Sequence, residues 1–321
     1  MSTSQSPNEL LRKAELLKKI GDHMGVENLY RQALRVARQT LGEDHPEVAY
    51  VYSLLALHYQ QRGELIKAER TFKHALSACR QSFGTESLQA SRVHVALANV
   101  YFIQGEYKRA ALRLKRALPA QERFFGLEHP DLCDTLLDLS RVLEKQGKAR
   151  EAELLAQQAL AKGESELNTW HPAVGSALRQ LALIKTGAGQ YADAEPMMER
   201  ALAIMGNFAE YFNPETAPTL CDLADLYNRR QAFRKAEKLY LRGLYILEYT
   251  HGPSHAQVAD TVNKLAVLYR TSHKYGEAQK LLQRLLFIRE HTLGLEHPDV
   301  AAIRIDLAAI ADALAAEEMN H

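Results

Sequence analysis

The sequence has few cysteines and no long apolar run, so it lacks the usual signs of disulfide bonds and of membrane insertion. It holds one Trp and three Cys in 321 residues, and no apolar run reaches the roughly 18 residues that a membrane helix requires. The segment from Met1 to Pro7 has neither a basic end nor an apolar core, so we expect no secretory signal and a cytoplasmic protein. With Lys+Arg 40 against Asp+Glu 39, the net charge predicts no attraction to nucleic acid or to an anionic membrane.

The three cysteines, Cys79, Cys133 and Cys221, are scattered along the chain and odd in number. We interpret them as reduced, buried, small apolar groups. The alternative is a redox or nucleophilic role, which would require a His or basic partner that the sequence does not locate.

The motifs of common enzymes and metal sites are also missing. The chain has no HExxH, CxxC, GxxxxGK[ST], GxGxxG or GxSxG sequence, which argues against the usual zinc, nucleotide and hydrolase chemistries. We therefore predict a protein that is not an enzyme and that uses no cofactor and no metal.

What the sequence does contain is a strict repeat of 42 residues. The pair His45-Pro46 recurs at 129–130, 171–172 and 297–298, and the Leu55-Ala56 pair recurs at the same step with one Ser in place of Ala. The period divides the chain into seven units at 4–45, 46–87, 88–129, 130–171, 172–213, 214–255 and 256–297. The link at 209–214 departs from the pattern, and we interpret it as a repacked link or a local contact site.

Each unit is predicted to form two helices. Pro46 suits a first helical turn, where a missing amide hydrogen costs nothing. Gly63 is typical of the residue that ends a helix, and Gln231 and His273 occupy its place in the last two units. A single pair cannot bury its apolar face, so seven stacked pairs would share one core in one domain, with a capping helix at 298–316. Equivalent His residues would lie at least about 8 Å apart, too far to share a metal, so we expect them to cap helices or pack links.

These features resemble the tetratricopeptide repeat. The Leu-Gly-x-x-His-Pro link around His45, the Leu55-Ala56 pair and the 42-residue period resemble the kinesin-light-chain type of that repeat in particular. The resemblance implies an all-α, right-handed solenoid, in which the first helices line a concave groove that binds proteins or peptides.

The family geometry assigns a set of groove positions around each Leu-Ala pair. The candidate partner-binding residues are Tyr50, Leu54, Leu57, Arg92, Asn99, Asp138, Arg141, Arg179, Gln180, Asp222, Asp225, Asn263 and Lys264. Three apolar side chains come first, which suggests a pocket for an apolar anchor. The alternative is that they pack against the first unit of the chain.

Charged and amide side chains dominate the later groove positions. Arg141 and Arg179 could bind a carboxylate or a peptide carbonyl; the alternative is an ordinary solvated helix face. Kinesin-light-chain repeats place paired Asn before Leu-Ala, and here only Asn263 matches, which argues against that cargo specificity. The carboxylate clamp of chaperone-binding repeats is also incomplete, because Val95 stands where the Lys beside Asn99 is needed.

The sequence therefore predicts a non-catalytic scaffold or adaptor that holds a protein or an extended peptide segment in a groove. No nucleic acid, membrane insertion or metal is expected. The alternative function is a regulatory switch, in which the solenoid changes pitch when a peptide binds.

Overall fold

The computed structural model describes residues 6–126, 130–207 and 216–319, and within these ranges every regular element is an α-helix. The chain forms two compact units, residues 1–169 and 170–321. Unit 1 contains α1 (Pro7–Lys19), α2 (His23–Leu41), α3 (Pro46–Gln61), α4 (Leu65–Phe83), α5 (Leu88–Ile103), α6 (Tyr107–Phe125), α7 (Pro130–Lys145) and α8 (Ala149–Glu166). Unit 2 contains α9 (Pro172–Gly187), α10 (Tyr191–Asn207), α11 (Thr216–Arg229), α12 (Phe233–His251), α13 (Ala256–Thr271), α14 (Tyr275–Leu293) and α15 (Pro298–Met319).

This order confirms the predicted all-α fold of helix pairs. In the described residues α1 to α14 form seven successive pairs, and α15 follows as the expected last helix, with its end at Met319 rather than at residue 316. The predicted links at His129 and at 209–214 lie outside the described residues.

The His-Pro pairs cap helices, as the sequence predicts. Nδ1 of His45 accepts a hydrogen bond from the amide of Glu47 at 3.2 Å, and Pro46 begins α3. His171 and His297 repeat this contact in unit 2, at 3.1 and 3.2 Å. The ring nitrogen thus satisfies one of the free amides of the first helical turn.

The first helix of each pair is followed by a residue whose φ is positive, in the left-handed region. Gly63 has a φ of 73°, and the two replacements for glycine in this place, Gln231 and His273, both have a φ of 59°. The backbone therefore keeps the same turn in all these pairs, although a side chain makes that conformation costly.

Small and large side chains alternate in the helix contacts. Ala68 and Ala110 are fully buried, and Phe72 and Tyr101 fill the adjoining space. The three cysteines are buried and free, in agreement with the sequence analysis. The helix α6 continues through Pro119 to Phe125, although a proline has no amide hydrogen to donate to the preceding turn.

A tyrosine–glutamate hydrogen bond joins successive pairs within each unit. In unit 1 the hydroxyl of Tyr101 on α5 donates to Glu69 on α4 at 3.1 Å, and Arg109 contacts both groups at 2.8 Å. The same bond recurs from Tyr59 to Glu27 in unit 1, and from Tyr227 to Glu195 and Tyr269 to Glu237 in unit 2.

Candidate functional site

The main candidate site is a pocket of about 530 Å³ in unit 1, between α3, α4 and α5. Its lining residues are Pro46, Glu47, Ala49, Tyr50, Ser53, Leu54, Leu57, Phe72, Cys79, Phe83, Gln89, Arg92, Val93 and Ala96. Four of the predicted groove residues therefore lie around one cavity: Tyr50, Leu54 and Leu57 on α3, and Arg92 on α5. The helical spacing of four and three residues places the three α3 side chains on one face of that helix.

Two large apolar side chains at the rim of this pocket are open to solvent. Tyr50 is 57 % exposed and Leu57 is 41 % exposed, which is unusual for adjacent large side chains on one helix face. A second hollow of about 520 Å³ lies between α1 and α3, and Tyr50 and Leu54 line it too, together with Leu11 and Leu16. The apolar surface therefore extends from α5 across α3 to α1.

The sequence analysis missed the floor of the pocket. Phe72, Cys79 and Phe83 come from α4, the second helix of its pair, and the groove positions considered from sequence were all on first helices. These residues share a face of α4 at helical spacing, so the apolar pattern of α4 is the signal that could have identified them.

Two charged groups lie at the pocket. Glu47 lines it, and its Oε1 atom is buried without a hydrogen-bond partner in the described residues. Arg92 is exposed and makes no ion pair in the described part of the chain. Cys79 has its thiol pKa raised to about 11 by burial, so the thiol stays protonated and unreactive near neutral pH. The pocket thus offers apolar contact with one acidic and one basic group for orientation.

The other candidates in unit 1 are not part of this pocket. Asn99 is exposed on α5, one turn beyond the pocket lining. On α7, Arg141 forms an ion pair with Asp138 within the same helix. Arg141 is exposed, so this pair on one helix adds little to stability.

In unit 2 the predicted charged residues bind one another. Arg179 on α9 donates from Nε to Asp222 on α11 at 2.6 Å. Burial raises the pKa of the Asp222 carboxyl, and the positive charge of Arg179 opposes that shift only in part. The Arg179 guanidinium is thus occupied by a protein carboxylate instead of being available to a ligand.

A second ionic contact continues across α11 and α13. Lys264 Nζ lies 2.6 Å from Asp225, and the hydroxyl of Tyr240 donates to the same carboxylate. Burial lowers the pKa of Lys264, but the Asp225 carboxylate outweighs this effect and the net shift is upward. The sequence analysis offered two interpretations of these charged residues, a ligand-binding site and an ordinary solvated helix face. The structure shows neither, since the charged side chains bind one another.

The two amide candidates in unit 2 differ in accessibility. Gln180 on α9 is only 4 % exposed and has a partner in the structure, so its amide is not presented on the surface. Asn263 on α13 is exposed. The structure therefore places four of the groove candidates at one apolar cavity in unit 1 and joins four others in two ionic contacts in unit 2.

In the described ranges, no helix combines the length and the apolar character needed to span a bilayer. The same residues contain no group of three or more His, Cys, Asp or Glu side chains that could hold a metal ion.

Comparison with known proteins agrees with this architecture. Family models described as tetratricopeptide repeat match residues 8–80, 47–123, 173–248 and 215–290, and a further one matches residues 132–173. No curated protein matches the sequence.

Three solved structures illustrate the similarity in fold. A putative kinesin light chain with nearly identical TPR-like repeats from Podosopora anserina is 24 % identical, with a TM-score of 0.50 over 63 % of this chain and 96 % of that one. BtubC (BKLC) from P. vanneervenii is 21 % identical, with a TM-score of 0.56 over 77 % and 93 % of the two chains. The apo form of RapI is 13 % identical, with a TM-score of 0.69 over 88 % and 97 %.

At these identities the three structures speak for the fold alone. The family models, in contrast, cover well over half of the sequence with the repeat period that the helix pairs follow. The chain therefore belongs to the tetratricopeptide repeat family.

Proposed function

We propose that this protein is a non-catalytic scaffold or adaptor that binds a partner protein, and that an apolar side chain of the partner enters the pocket between α3, α4 and α5. The observation that supports this most is the convergence of Tyr50, Leu54, Leu57 and Arg92 on one cavity of about 530 Å³. Such a cavity has room for a large aliphatic or aromatic side chain, the type of residue that dominates binding energy at interfaces.

The polar groups at the pocket favour a peptide over a purely apolar ligand. The buried Oε1 of Glu47 lacks a hydrogen-bond donor in the described residues, and a peptide N–H group or a basic side chain would supply one. Arg92, without an ion pair in the same part of the structure, would donate hydrogen bonds to a carbonyl or carboxylate group of the ligand. The ligand is then an extended segment with an apolar anchor between polar contacts.

The test is a selection of peptides from a displayed library on the full-length chain, followed by fluorescence anisotropy. We expect selected peptides to share a large apolar residue. Leu54→Arg should weaken their binding by roughly 30-fold or more, because a charge would enter the apolar cavity at a binding hot spot.

The matched control is Ile66→Arg, which places the same charge on an exposed apolar residue of unit 1 outside the pocket. It should leave the affinity unchanged, and circular dichroism would establish that both variants fold. Equal binding of the peptides by Leu54→Arg and the wild type would contradict the proposal, as would selected peptides without an apolar residue.

A further inference from the structure

The third helix pair carries polar residues where the other pairs are apolar or small. Arg113 on α6 occupies a place that later pairs fill with Leu155, Met197, Leu239 and Leu281. His94 on α5 occupies a place that later pairs fill with Leu136, Leu178, Leu220 and Val262. Because the repeats share one backbone plan, these replacements are a local change of chemistry within a fixed geometry.

Three polar side chains of the third pair are buried, and each has an atom without a hydrogen-bond partner in the described residues. Within the described ranges, Nδ1 of His94 and Oγ of Ser91 have no hydrogen-bond partner, although the two residues are only 4 % and 1 % exposed. Oε1 of Gln121, on the adjoining face of α6, is in the same state. An unsatisfied buried polar group destabilises the fold, so three such groups on two packed helices point to a ligand that supplies the missing partners.

Three arginines lie close enough to His94 for their charges to act on it. Arg80 lies in the last turn of α4, and Arg113 and Arg116 lie on α6. None of the three forms an ion pair with any acid in the part of the chain that the structure describes. Burial, together with the positive charges of Arg113, Arg80 and Arg116, lowers the pKa of His94 to about 4.

The preceding repeat indicates that His94 and Arg116 are neighbours, because the two residues at the corresponding positions are in contact. There the rings of Tyr52 on α3 and His74 on α4 stack with centroids 5.5 Å apart. A shift of one 42-residue period replaces these two residues by His94 and Arg116. Since α5 packs on both α4 and α6, and arginines of both helices act on His94, the buried imidazole lies where these three helices meet.

The surrounding surface is strongly basic. Residues 65–125 contain eleven Lys or Arg and four Glu, whereas the whole chain has a formal net charge of +1. No acid occurs in α5, and Glu69 of α4 is already bound by Tyr101, Lys73 and Arg109. Glu122 of α6 is exposed. The near-neutral total therefore conceals a local excess of positive charge.

We infer that the groove between α4 and α6 is a binding site for a phosphate group, held by Arg80, Arg113 and Arg116 with Ser91 and His94 at its base. A phosphate dianion offers several acceptor oxygens and two charges, and guanidinium groups bind it through paired, charge-assisted hydrogen bonds. The hydroxyl of Ser91 and the Nδ1–H tautomer of His94 would donate to the same oxygens. Bound phosphate would thus satisfy two of the buried groups and balance the arginine charge.

The first test is isothermal titration of the full-length chain with inorganic phosphate, at constant ionic strength set with chloride. We expect saturable binding with a dissociation constant of about 1 mM or below. Arg113→Leu, which restores the residue typical of this place, should weaken binding about tenfold by removing a charge-assisted contact. Lys115→Gln removes an exposed charge from the same helix and is the matched control, which should bind like the wild type.

The imidazole signals of His94 give a second readout that separates binding from a general loss of charge. Phosphate should raise the pKa of His94, because the anion offsets the three arginines. No saturable phosphate binding by the wild type at about 20 mM, equal weakening in the two variants, or a pKa of His94 that phosphate leaves unchanged would each overturn the inference.

Two further ligands test whether the bound phosphate group belongs to a protein or to a lipid. A phosphoserine peptide and vesicles that contain phosphatidic acid are titrated beside their unphosphorylated peptide and phosphatidylcholine controls. Preference for one phosphorylated ligand, lost in Arg113→Leu, would support the site and identify its source. This groove shares no residue with the pocket between α3, α4 and α5, so failure here would leave the proposed peptide binding untouched.

Discussion

His94 is neutral at pH 7 where it lies buried among α4, α5 and α6, because burial and three arginines lower its pKa to about 4. In the unfolded chain its pKa returns to about 6.5, so the unfolded state binds more protons between these two values. The free energy of unfolding should therefore fall as the pH drops from about 6.5 to 4, by up to about 3 kcal/mol at 1.36 kcal/mol per pKa unit.

Urea unfolding in phosphate-free buffers across this pH range measures the effect. His94→Leu, which carries the residue that the next three pairs have in this place, should give a shallower dependence on pH. An unchanged pH dependence in this variant would contradict the prediction.

The hydroxyl of Tyr101 contributes to the contact between successive helix pairs. It donates to Glu69 and receives a hydrogen bond from Arg109, so Tyr101→Phe should lower the free energy of unfolding by about 1–2 kcal/mol. Tyr107→Phe is the matched control, since this hydroxyl has no hydrogen bond in the described residues. Equal stability of the two variants by chemical denaturation would show that the tyrosine–glutamate bond adds nothing.

The surroundings of some candidate residues could be predicted from the sequence, whereas those of others could not. Tyr50, Leu54 and Leu57 were predicted to share one helix face, and all three line one cavity, because helical spacing fixes which side chains share a face. Arg179 and Asp222 were both selected, but on different helices, and only the packing of α9 and α11 shows that they bind each other. The sequence reveals the face on which a residue lies, but not its partner on the next helix.

At the scale of helices the sequence was most informative. The breakers and caps are local signals, so the start of α3 at Pro46 and its end at Gln61, just before Gly63, agree with the expectation. A proline inside a helix does not always end it, since α6 continues through Pro119 to Phe125 in spite of a lost amide hydrogen. Contacts between neighbouring helices, which local patterns do not report, also decide the floor of the pocket.

The turn that follows α11 is strained by its side chain. Gln231 has a φ of 59°, where the equivalent residues of earlier pairs are glycines. The left-handed conformation costs a residue with a side chain about 1–2 kcal/mol, and glycine gives back part of this through its greater freedom in the unfolded chain. Gln231→Gly should therefore stabilise the protein by about 0.5–1 kcal/mol.

The reciprocal change provides the control. Gly189 occupies the same place after α9 with a φ of 77°, and a Cβ atom there would meet no neighbour. Gly189→Gln should lower the melting temperature, while Gln231→Gly should raise it. Shifts of the same sign in both variants would mean that backbone strain is not the cause.

At the scale of the whole molecule, stability is built from contacts between neighbouring helices. Within each unit the described helices pack on helices that are consecutive or next but one in the chain, so the main contacts join near neighbours in the sequence. Because of this regularity, equivalent positions in the repeats have similar surroundings. A replacement such as His94 or Arg113 therefore changes the chemistry of a position without changing its geometry.

The regularity also predicts how the same substitution acts in two places. Ala266 on α13 is buried against α14, whereas Ala308, at the same place on α15, is exposed. Ala266→Gln should destabilise the protein by about 2 kcal/mol or more, because a long polar side chain would enter a packed contact between helices. Ala308→Gln should change the free energy of unfolding by no more than about 0.5 kcal/mol, as is usual for exposed sites. Urea unfolding of both variants compares them directly, and a large loss of stability in Ala308→Gln would mean that this face of α15 is covered in solution, for example by a second copy of the chain.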